Sequence, residues 1–215
     1  MYYLGLDIGG TKIAAVVMDA QGRELVRYRC PTPKASYSQV VESVVAFIDQ
    51  IRHDRQQPMM TGIALPGSVS PLNGLIKNSN IQVINGRPLQ TDLRQLLGQT
   101  VVMANDGNCF ALSEACDGAG QQHEVVFGIT LGTGCGGGIV VHRQPFVGAW
   151  GNAAECGHIT LPGYSEQHDG PPARCYCGKD NCVESFVSGT GLSERYQRLN
   201  GQHLTGDAIV AVSYT

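Results

Sequence analysis

Two glycine-rich turns, each placed directly after an apolar run, constrain this chain more than any other feature of its sequence. The first turn follows residues 2–8 and the second follows residues 125–131. Because glycine has no side chain, the backbone of such a turn can approach an anion closely and aim successive N–H groups at phosphate oxygens. One such turn is as readily explained as a plain hairpin turn. Two in one chain, the first preceded by Asp7, favour phosphate binding.

The two turns differ from the best-known phosphate loops. Neither matches the G-x-x-x-x-G-K-[ST] pattern of a Walker A loop, and neither opens a helix as a dinucleotide fingerprint does. We expect the threonines to add hydroxyl donors, Lys12 to add a charge, and Asp7 to hold Mg²⁺ directly or through water. The residues predicted to surround the bound phosphates and Mg²⁺ are Asp7, Gly9, Gly10, Thr11, Lys12, Gly132, Thr133 and Gly134.

The composition is that of a packed globular chain. Hydrophobic residues make up 42% of the 215 residues and charged residues 15%, and the 28 glycines are about twice the usual share of ~7%. A net charge of −3 without a block of Lys or Arg disfavours a nucleic-acid partner. No run reaches the roughly 20 apolar residues of a membrane helix, and the start carries no secretory signature. We therefore expect a cytoplasmic protein with no membrane partner.

Apolar periodicity predicts an α/β fold built from layers of strands and helices. The boundary between two lobes is predicted near residue 104, which gives lobes 1–104 and 105–215. A long stretch with little periodicity, 142–181, is of the kind that carries function or needs a crosslink to hold it in place. The predicted strands cover 2–8, 13–18, 24–30, 60–65, 101–104, 125–131 and 137–141, and the predicted helices cover 36–52, 88–97, 107–117, 183–199 and 206–213.

A candidate acid–base group stands in the sequence Asn105-Asp106-Gly107-Asn108, between a predicted strand and a predicted helix. Asn and Asp are good N-caps, and capping alone explains this sequence as well as a function does. In the functional interpretation Asp106 is a general base that takes a proton from a substrate hydroxyl, which then attacks the terminal phosphate of a nucleotide. Asn105 would hold a neighbouring hydroxyl.

Three of the eight cysteines form the cluster C-x-C-x₄-C at Cys175, Cys177 and Cys182. Three thiolates in one loop of a chain without a leader indicate a zinc site rather than a disulfide framework, and tetrahedral zinc takes a fourth ligand. His158 lies at the start of the same irregular region, and His168 and Cys156 are its competitors for that position. Four protein ligands leave no open position for water, so the predicted role of this zinc is structural.

Glu155 and Glu184 flank the predicted zinc loop. Exposed carboxylates are usually only solvated, and that is the better explanation for either residue taken alone. If zinc draws residue 158 and residues 175–182 together, both carboxylates face one pocket, where they can accept sugar hydroxyls.

These motifs, in this order, resemble the bacterial sugar kinases of the ROK family (repressor, open reading frame, kinase). The resemblance spans almost the whole chain, and as a set the motifs are highly specific. The matching pieces are LDIGGTK at 6–12, the turn at 66–67, ANDGN at 104–108, LGTGCGGG at 131–138, AECGH at 154–158, CYCGKDNCVE at 175–184 and SGTG at 188–191.

The resemblance implies an actin-like (ribonuclease-H-type) ATPase fold of two lobes and ATP-dependent phosphorylation of a hexose. It implies Asp106 as the base and places residues 5–12 and 132–139 around the ATP phosphates. The implied hexose contacts are Gly67, Ser68, Asn80, Asn105, Glu155, His158 and Glu184, and the implied zinc ligands are His158, Cys175, Cys177 and Cys182.

Two branches of the family compete for the substrate. Residues 66–88 and 185–191 look most like the fructokinase and mannokinase branch, so fructose is the favoured hexose. Residues 1–3 and 108–115 resemble the N-acetylglucosamine kinase branch, which is the near rival. The choice depends on small pocket differences, often only ~1–3 kcal/mol for one group.

Three positions depart from the family pattern. The family usually has Ala where this chain has Gly107, which should weaken the start of a helix slightly. Asn181 and Ala154 stand where the family has Gly. Asn tolerates a left-handed conformation well, so the zinc turn survives, whereas Ala154 tightens its turn if its φ is positive.

The ends of the chain bear on two alternatives. Family kinases continue past residue 215, so we expect a truncated second lobe, and an inactive fragment is an alternative to a kinase. A transcriptional repressor of the family would need an N-terminal helix-turn-helix segment, for which a first strand at residue 2 leaves no room. Family members are often dimers, which leaves a homodimer open.

Overall fold

The computed structural model describes residues 1–213, which divide into two compact units. One unit comprises residues 1–109 with 148–152, and the other comprises residues 110–147 and the described chain from 153 onwards. The strands are β1 (Tyr2–Ile8), β2 (Lys12–Met18), β3 (Glu24–Pro31), β4 (Met59–Leu65), β5 (Ser68–Val69), β6 (Ile76–Lys77), β7 (Val101–Asn105), β8 (Val125–Leu131), β9 (Cys135–Val141) and β10 (Gln144–Pro145). The helices are α1 (Tyr37–Arg55), α2 (Leu89–Leu97), α3 (Asp106–Cys116), α4 (Glu166–Asp169), α5 (Glu184–Val187), α6 (Gly189–Asn200) and α7 (Gly206–Ser213).

The first unit contains a five-stranded sheet in the order β3-β2-β1-β4-β7. Strand β1 pairs antiparallel with β2 and parallel with β4, and β4 pairs parallel with β7. Because parallel strands run in the same direction, the carboxyl ends of β1, β4 and β7 meet at one edge of the sheet. The last of these strands ends at Asn105, beside the lobe boundary that the sequence predicts near 104. That boundary remains a prediction.

Helices α1 and α2 supply the apolar cover of this sheet. The Ser36 side chain caps α1 by accepting a hydrogen bond from the Gln39 N–H, which satisfies one of the free donors at a helix start. One face of each helix is buried, as the helical spacing of apolar residues predicts. The buried residues of these two helices are Val40, Val41, Val44, Phe47, Ile48, Ile51, Leu89, Leu93 and Leu97.

The second unit has a three-stranded sheet in the order β10-β9-β8 and a small hydrophobic core. The buried cluster in this unit consists of Ala111, Ala115 and Val140. Alternate residues of β8, from Val125 to Leu131, are exposed. A core this small supports the expectation that the irregular region, 142–181, needs a crosslink to hold it in place. None of the helices described for residues 1–213 combines the length and apolarity that a membrane crossing requires.

The α/β class is confirmed, and the differences from the expected elements are local. The single helix predicted over 183–199 is wrong, because the chain is extended at Ser188 (φ −76°, ψ 159°) between α5 and α6. The Ser188 side chain caps the second helix by accepting from the Gly191 N–H at 3.0 Å. Strand β9 begins at Cys135 rather than 137, because its pairing with β8 continues to Leu131. The short hairpin of β5 and β6 was not expected from the sequence.

Candidate functional site

The carboxyl edge of the parallel strands gathers the predicted site residues of the first unit. Register pairs Asp7 of β1 with Ala64 of β4, and Leu65 of β4 with Asn105 of β7. The side chains and turns that follow these three strands therefore lie at neighbouring positions of one edge. Edges of this kind are where open α/β sheets bind ligands.

Asn105 holds the edge together through hydrogen bonds from one buried amide. Its Nδ2 donates to the Gly67 carbonyl at 3.0 Å and to Asp106 Oδ1 at 3.0 Å. Its Oδ1 accepts from the Asn108 N–H at 3.1 Å, which is the capping bond that the sequence suggested for this helix start. The side chain thus both caps α3 and orients its neighbour, and the two explanations considered for this sequence do not exclude each other.

Asp106 combines an open position with a perturbed pKa. The residue is exposed as a whole, yet desolvation by the surrounding chain raises the pKa of its carboxyl, and repulsion from Asp7 acts in the same direction. Hydrogen bonds from the Gly107 N–H and the Asn105 amide oppose this shift. Desolvation also raises the pKa of the nearby Cys109 thiol to about 11, with the charges of Asp106 and Asp7 adding to it. A carboxylate with a raised pKa is a stronger base.

The first glycine turn is tied down by a threonine that sequence analysis missed. The turn closes with a bond from the Gly9 N–H to the Lys12 carbonyl at 3.0 Å. Thr32, which is buried, donates its hydroxyl to the Gly9 carbonyl at 2.7 Å and its N–H to the Thr11 carbonyl at 3.1 Å. The only signal in the sequence is a polar residue between Pro31 and Pro33, where the third strand ends.

The predicted small-lobe contacts of the hexose lie next to this turn. A Cβ added to Gly10 would stand 3.6 Å from Asn80 Oδ1, so these two residues face each other. Ser68 is buried directly after Gly67. Gly67 has a φ of +86°, and an added Cβ would stand 2.4 Å from the Lys77 carbonyl oxygen. Only glycine fits this turn without displacing backbone.

We expect Gly67→Ala to lower the free energy of unfolding by about 3 kcal/mol, since backbone strain costs about 1 kcal/mol and the backbone clash about 2 more. Gly74→Ala is the matched control, because Gly74 has a φ of +72° but no atom within 4 Å of an added Cβ. Urea denaturation of both variants separates strain from clash. Equal losses of unfolding free energy in the two variants would show that the backbone around Gly67 shifts enough to relieve the clash.

In the second unit, the glycine turn meets the carboxylate of Glu184. Glu184 Oε2 accepts from the Cys135 N–H at 2.8 Å, directly after the turn. An added Cβ on Gly134 would stand 2.7 Å from the same oxygen, so a larger residue there would have to displace the Glu184 carboxylate. The turn also reaches the start of α6, where the Gly189 N–H donates to the Gly132 carbonyl at 2.8 Å. Glu184 is therefore a structural partner of the turn, which its sequence position did not indicate.

Glu155 stands at the start of a short 3-10 turn, Cys156–His158, that packs on β9. An added Cβ on Gly157 would stand 2.2 Å from the Cys135 carbonyl oxygen, so the turn and the strand touch backbone to backbone. Ala154 has a φ of +70°, the positive value for which the sequence predicted a tightened turn. This packing brings Glu155 into the electrostatic neighbourhood of Cys135, beside Glu184.

The structure brings the four predicted zinc ligands together. One ligand atom from each of His158, Cys175, Cys177 and Cys182 lies within 4.8 Å of the others. Cys177 Sγ and Cys182 Sγ are 3.5 Å apart, and Cys175 Sγ is 3.5 Å from His158 Nδ1. Tetrahedral zinc with bonds of about 2.0–2.3 Å places its ligand atoms about 3.3–3.8 Å apart. The donor set and these two 3.5 Å separations therefore fit zinc.

The two competing ligands lie elsewhere. The Cys156 side chain lies close enough to Cys135 for the two groups to interact, and His168 is an exposed residue of α4. Asn181 has a φ of +57°, as expected for an Asn in place of glycine. Its side chain adds a bond that glycine lacks, since Oδ1 accepts from the Ala173 N–H at 2.8 Å.

The predicted residues thus form two groups, one in each unit. The roles given to them in the sequence analysis stay predictions. The group of the first unit is Asp7, Gly9, Gly10, Thr11, Lys12, Gly67, Ser68, Asn80, Asn105 and Asp106, and the group of the second unit is Gly132, Thr133, Gly134, Glu155, His158, Cys175, Cys177, Cys182 and Glu184.

Comparison with protein families gives one match over nearly the full length. The model of the ROK family matches residues 3–214. Among curated proteins, the N-acetyl-D-glucosamine kinase of Haemophilus influenzae (strain 86-028NP) is 37% identical over 218 residues, which cover 100% of this chain and 71% of that protein. The relatives of this group carry the name N-acetyl-D-glucosamine kinase, so the preference for fructose is not supported by them.

Solved structures agree with this match. The ROK hexokinase from Thermus thermophilus has a TM-score of 0.79 and 32% identity, over 95% of this chain and 66% of that chain. The ROK family glucokinase from Streptomyces griseus, in complex with glucose and AMPPNP, has a TM-score of 0.73 and 33% identity, over 94% and 62%. The chain spans just under two thirds of these two proteins. The predicted actin-like ATPase fold class is confirmed.

Proposed function

The chain belongs to the ROK family, and from that premise we propose that it is an ATP-dependent kinase of a hexose hydroxyl. The observation that carries the proposal is the position of Asp106, at the carboxyl edge of the parallel strands beside Asn105 and near enough to Asp7 for their charges to interact. A base, an amide and a second carboxylate beside a glycine turn are the groups that phosphoryl transfer to an alcohol requires.

Asp106 acts as the general base in this proposal. Its carboxylate removes the proton of the hexose hydroxyl, and the oxygen attacks the terminal phosphorus of ATP as the bond to ADP breaks. Asn105 fixes the orientation of the carboxylate, because its Nδ2 donates to Asp106 Oδ1. Asp7 is the proposed holder of Mg²⁺, which would neutralise charge on the phosphate oxygens.

The remaining proposed contacts follow the two groups of residues. In the first unit, Gly67, Ser68, Asn80 and Asn105 would receive hexose hydroxyls. In the second unit, Glu155, His158 and Glu184 would do so. In the two glycine turns, at 9–12 and 132–134, the Gly9 and Gly132 N–H groups bond within the turns. The other backbone N–H groups of these turns would face the phosphates. Carboxylate and amide oxygens are suited to hydroxyl groups because they accept the hydrogen bonds that hydroxyls donate.

The proposed zinc is structural and holds the loop that carries His158 and Glu184. Backbone bonds already shape this loop, since the Val183 N–H donates to the Ile159 carbonyl at 2.9 Å and the Leu161 N–H to the Asn181 carbonyl at 2.7 Å. A metal with four protein ligands adds a crosslink between segments that share little apolar contact. We therefore expect loss of zinc to weaken hexose binding and to leave Asp106 unaffected.

For the hexose itself, we propose N-acetyl-D-glucosamine first and fructose second. The identity to the N-acetyl-D-glucosamine kinase group supports the first. The likeness of residues 66–88 and 185–191 to the fructokinase branch supports the second. One group on the sugar changes discrimination by only ~1–3 kcal/mol, so both stay in the test.

The experiment is a panel of ATP-dependent phosphorylation assays with Mg²⁺ and the 215-residue chain. The sugars are N-acetylglucosamine, fructose, mannose, glucose and N-acetylmannosamine. We expect transfer with the highest kcat/KM for N-acetylglucosamine. A preference for fructose would keep the kinase and overturn the substrate. Absence of transfer to all five sugars, with a folded chain, would contradict the proposed activity of this chain.

A further inference from the structure

Trp150 is the only tryptophan of the chain, and it is 63% exposed. It lies in the short segment 148–152, which belongs to the first unit. A single exposed apolar residue is common on protein surfaces and needs no explanation by itself. What distinguishes Trp150 is the place at which its backbone is held.

The segment forms a tight turn with Trp150 at its tip. The Gly151 N–H donates to the Gly148 carbonyl at 3.2 Å, which closes the turn around Ala149 and Trp150. Gly148 and Gly151 have φ values of +71° and +70°, in the left-handed region that favours glycine. The two glycines therefore fix the path of the backbone on both sides of the tryptophan.

This turn lies against the hairpin of β5 and β6, on the face that carries Ser68. Ser68 and Lys77 are directly opposed in the antiparallel register, so their side chains share one face of the hairpin. The Lys77 Nζ donates to the Trp150 carbonyl. An added Cβ on Gly151 would stand 3.9 Å from Ser68 Oγ. The backbone of Trp150 is therefore held beside the Ser68 hydroxyl, which is a proposed hexose contact.

We propose that Trp150 is a hexose-binding residue whose indole ring packs on an apolar C–H face of the sugar, while Ser68 binds a hydroxyl. This assignment rests on the proposed function, because it places the hexose at Ser68. A sugar ring carries C–H groups on its faces and hydroxyls at its rim, which suits one aromatic face with polar groups beside it. Such a contact is the same before and during phosphoryl transfer, so its loss raises KM and leaves kcat unchanged.

The first measurement is the fluorescence of the unmodified chain during titration with N-acetylglucosamine, and separately with fructose, in the absence of ATP. Because the chain has one tryptophan, selectively excited indole emission reports on position 150 alone. An indole that is covered by a ligand loses water contacts, and its emission moves to shorter wavelength. We expect this shift to saturate with the dissociation constant that calorimetry gives for the same sugar.

The second measurement compares variants by calorimetry and by turnover. We expect Trp150→Ala to bind hexose about tenfold more weakly, with kcat within about twofold of the unmodified chain, and Trp150→Phe to recover most of the affinity. Leu96→Ala is the matched control, because Leu96 of α2 is 62% exposed and its loss should alter neither quantity. Thermal unfolding of all three variants checks that each is folded.

Two results would overturn the proposal. A sugar that binds by calorimetry without moving the emission does not cover Trp150. An affinity of Trp150→Ala equal to that of Leu96→Ala would show that the ring adds nothing to binding. If the unmodified chain binds hexose but transfers no phosphate, the proposed activity fails, and the emission still decides the role of Trp150. If calorimetry detects no sugar binding, the hexose site and this proposal are both wrong.

Discussion

Replacing Asp106 with Asn is expected to lower the rate of phosphoryl transfer by about 10²–10⁴-fold, while the affinity for hexose changes by less than about tenfold. The reason is that the substitution removes the base but keeps the local hydrogen bonds. The Asn105 amide and the Gly107 N–H both donate to Oδ1 of Asp106, and the amide oxygen of Asn can accept both. The backbone and the edge of the sheet therefore keep their geometry.

Turnover is measured with a coupled ADP assay, and hexose affinity by calorimetry without ATP. Asp54→Asn is the matched control, because Asp54 is exposed near the end of α1 and the same change of charge there should leave both quantities unaltered. Equal losses of rate and affinity in Asp106→Asn would assign Asp106 to binding and contradict its role as base. A variant with unaltered turnover would exclude Asp106 from the chemistry.

Replacing Cys182 with Ser is expected to reduce bound zinc from about one ion per chain to about none, because a serine hydroxyl is a poor substitute for a thiolate in a tetrahedral site. Cys182 is the strongest position for this test, since its side chain is 0% exposed and its backbone forms an isolated β-bridge with Thr160. Loss of the ion should also loosen the irregular loop, because folding of small metal sites is coupled to the metal.

Metal analysis of freshly purified protein gives the stoichiometry, and limited proteolysis reports on residues 160–181. The control is Cys116→Ser, an exposed cysteine at the end of α3, which should keep one ion and the protease resistance of the unmodified chain. An unmodified chain that contains no zinc when purified without chelators would remove the metal from the proposal. If the Cys182→Ser variant retained zinc, Cys182 would not be a ligand and the proposed ligand set would be wrong.

Much of the local structure could be predicted because it depends on neighbours in the sequence. The strand at 2–8 and the glycines after it form β1 and its turn, since alternating apolar residues and a glycine pair determine both within a dozen residues. Helix α1 follows from a periodic apolar face and a serine cap. The prediction failed at Ser188, where the same residue ends one short helix and caps the next, because a helical period by itself cannot reveal such a break.

Local patterns in the sequence were enough to predict most strands and helices, the family motifs and the residues with useful chemistry. Which of these residues meet depends on the tertiary fold. The Asn105 amide donates to the Gly67 carbonyl, 38 residues earlier, and the Thr32 hydroxyl donates to the Gly9 carbonyl, 23 residues earlier. The Tyr176 hydroxyl lies 2.9 Å from Nε2 of His158, 18 residues earlier. The physical reason is that such contacts depend on strand register, on the path of an irregular loop and on side-chain rotamers, which are set by packing over long sequence separations and leave no periodic trace in the chain.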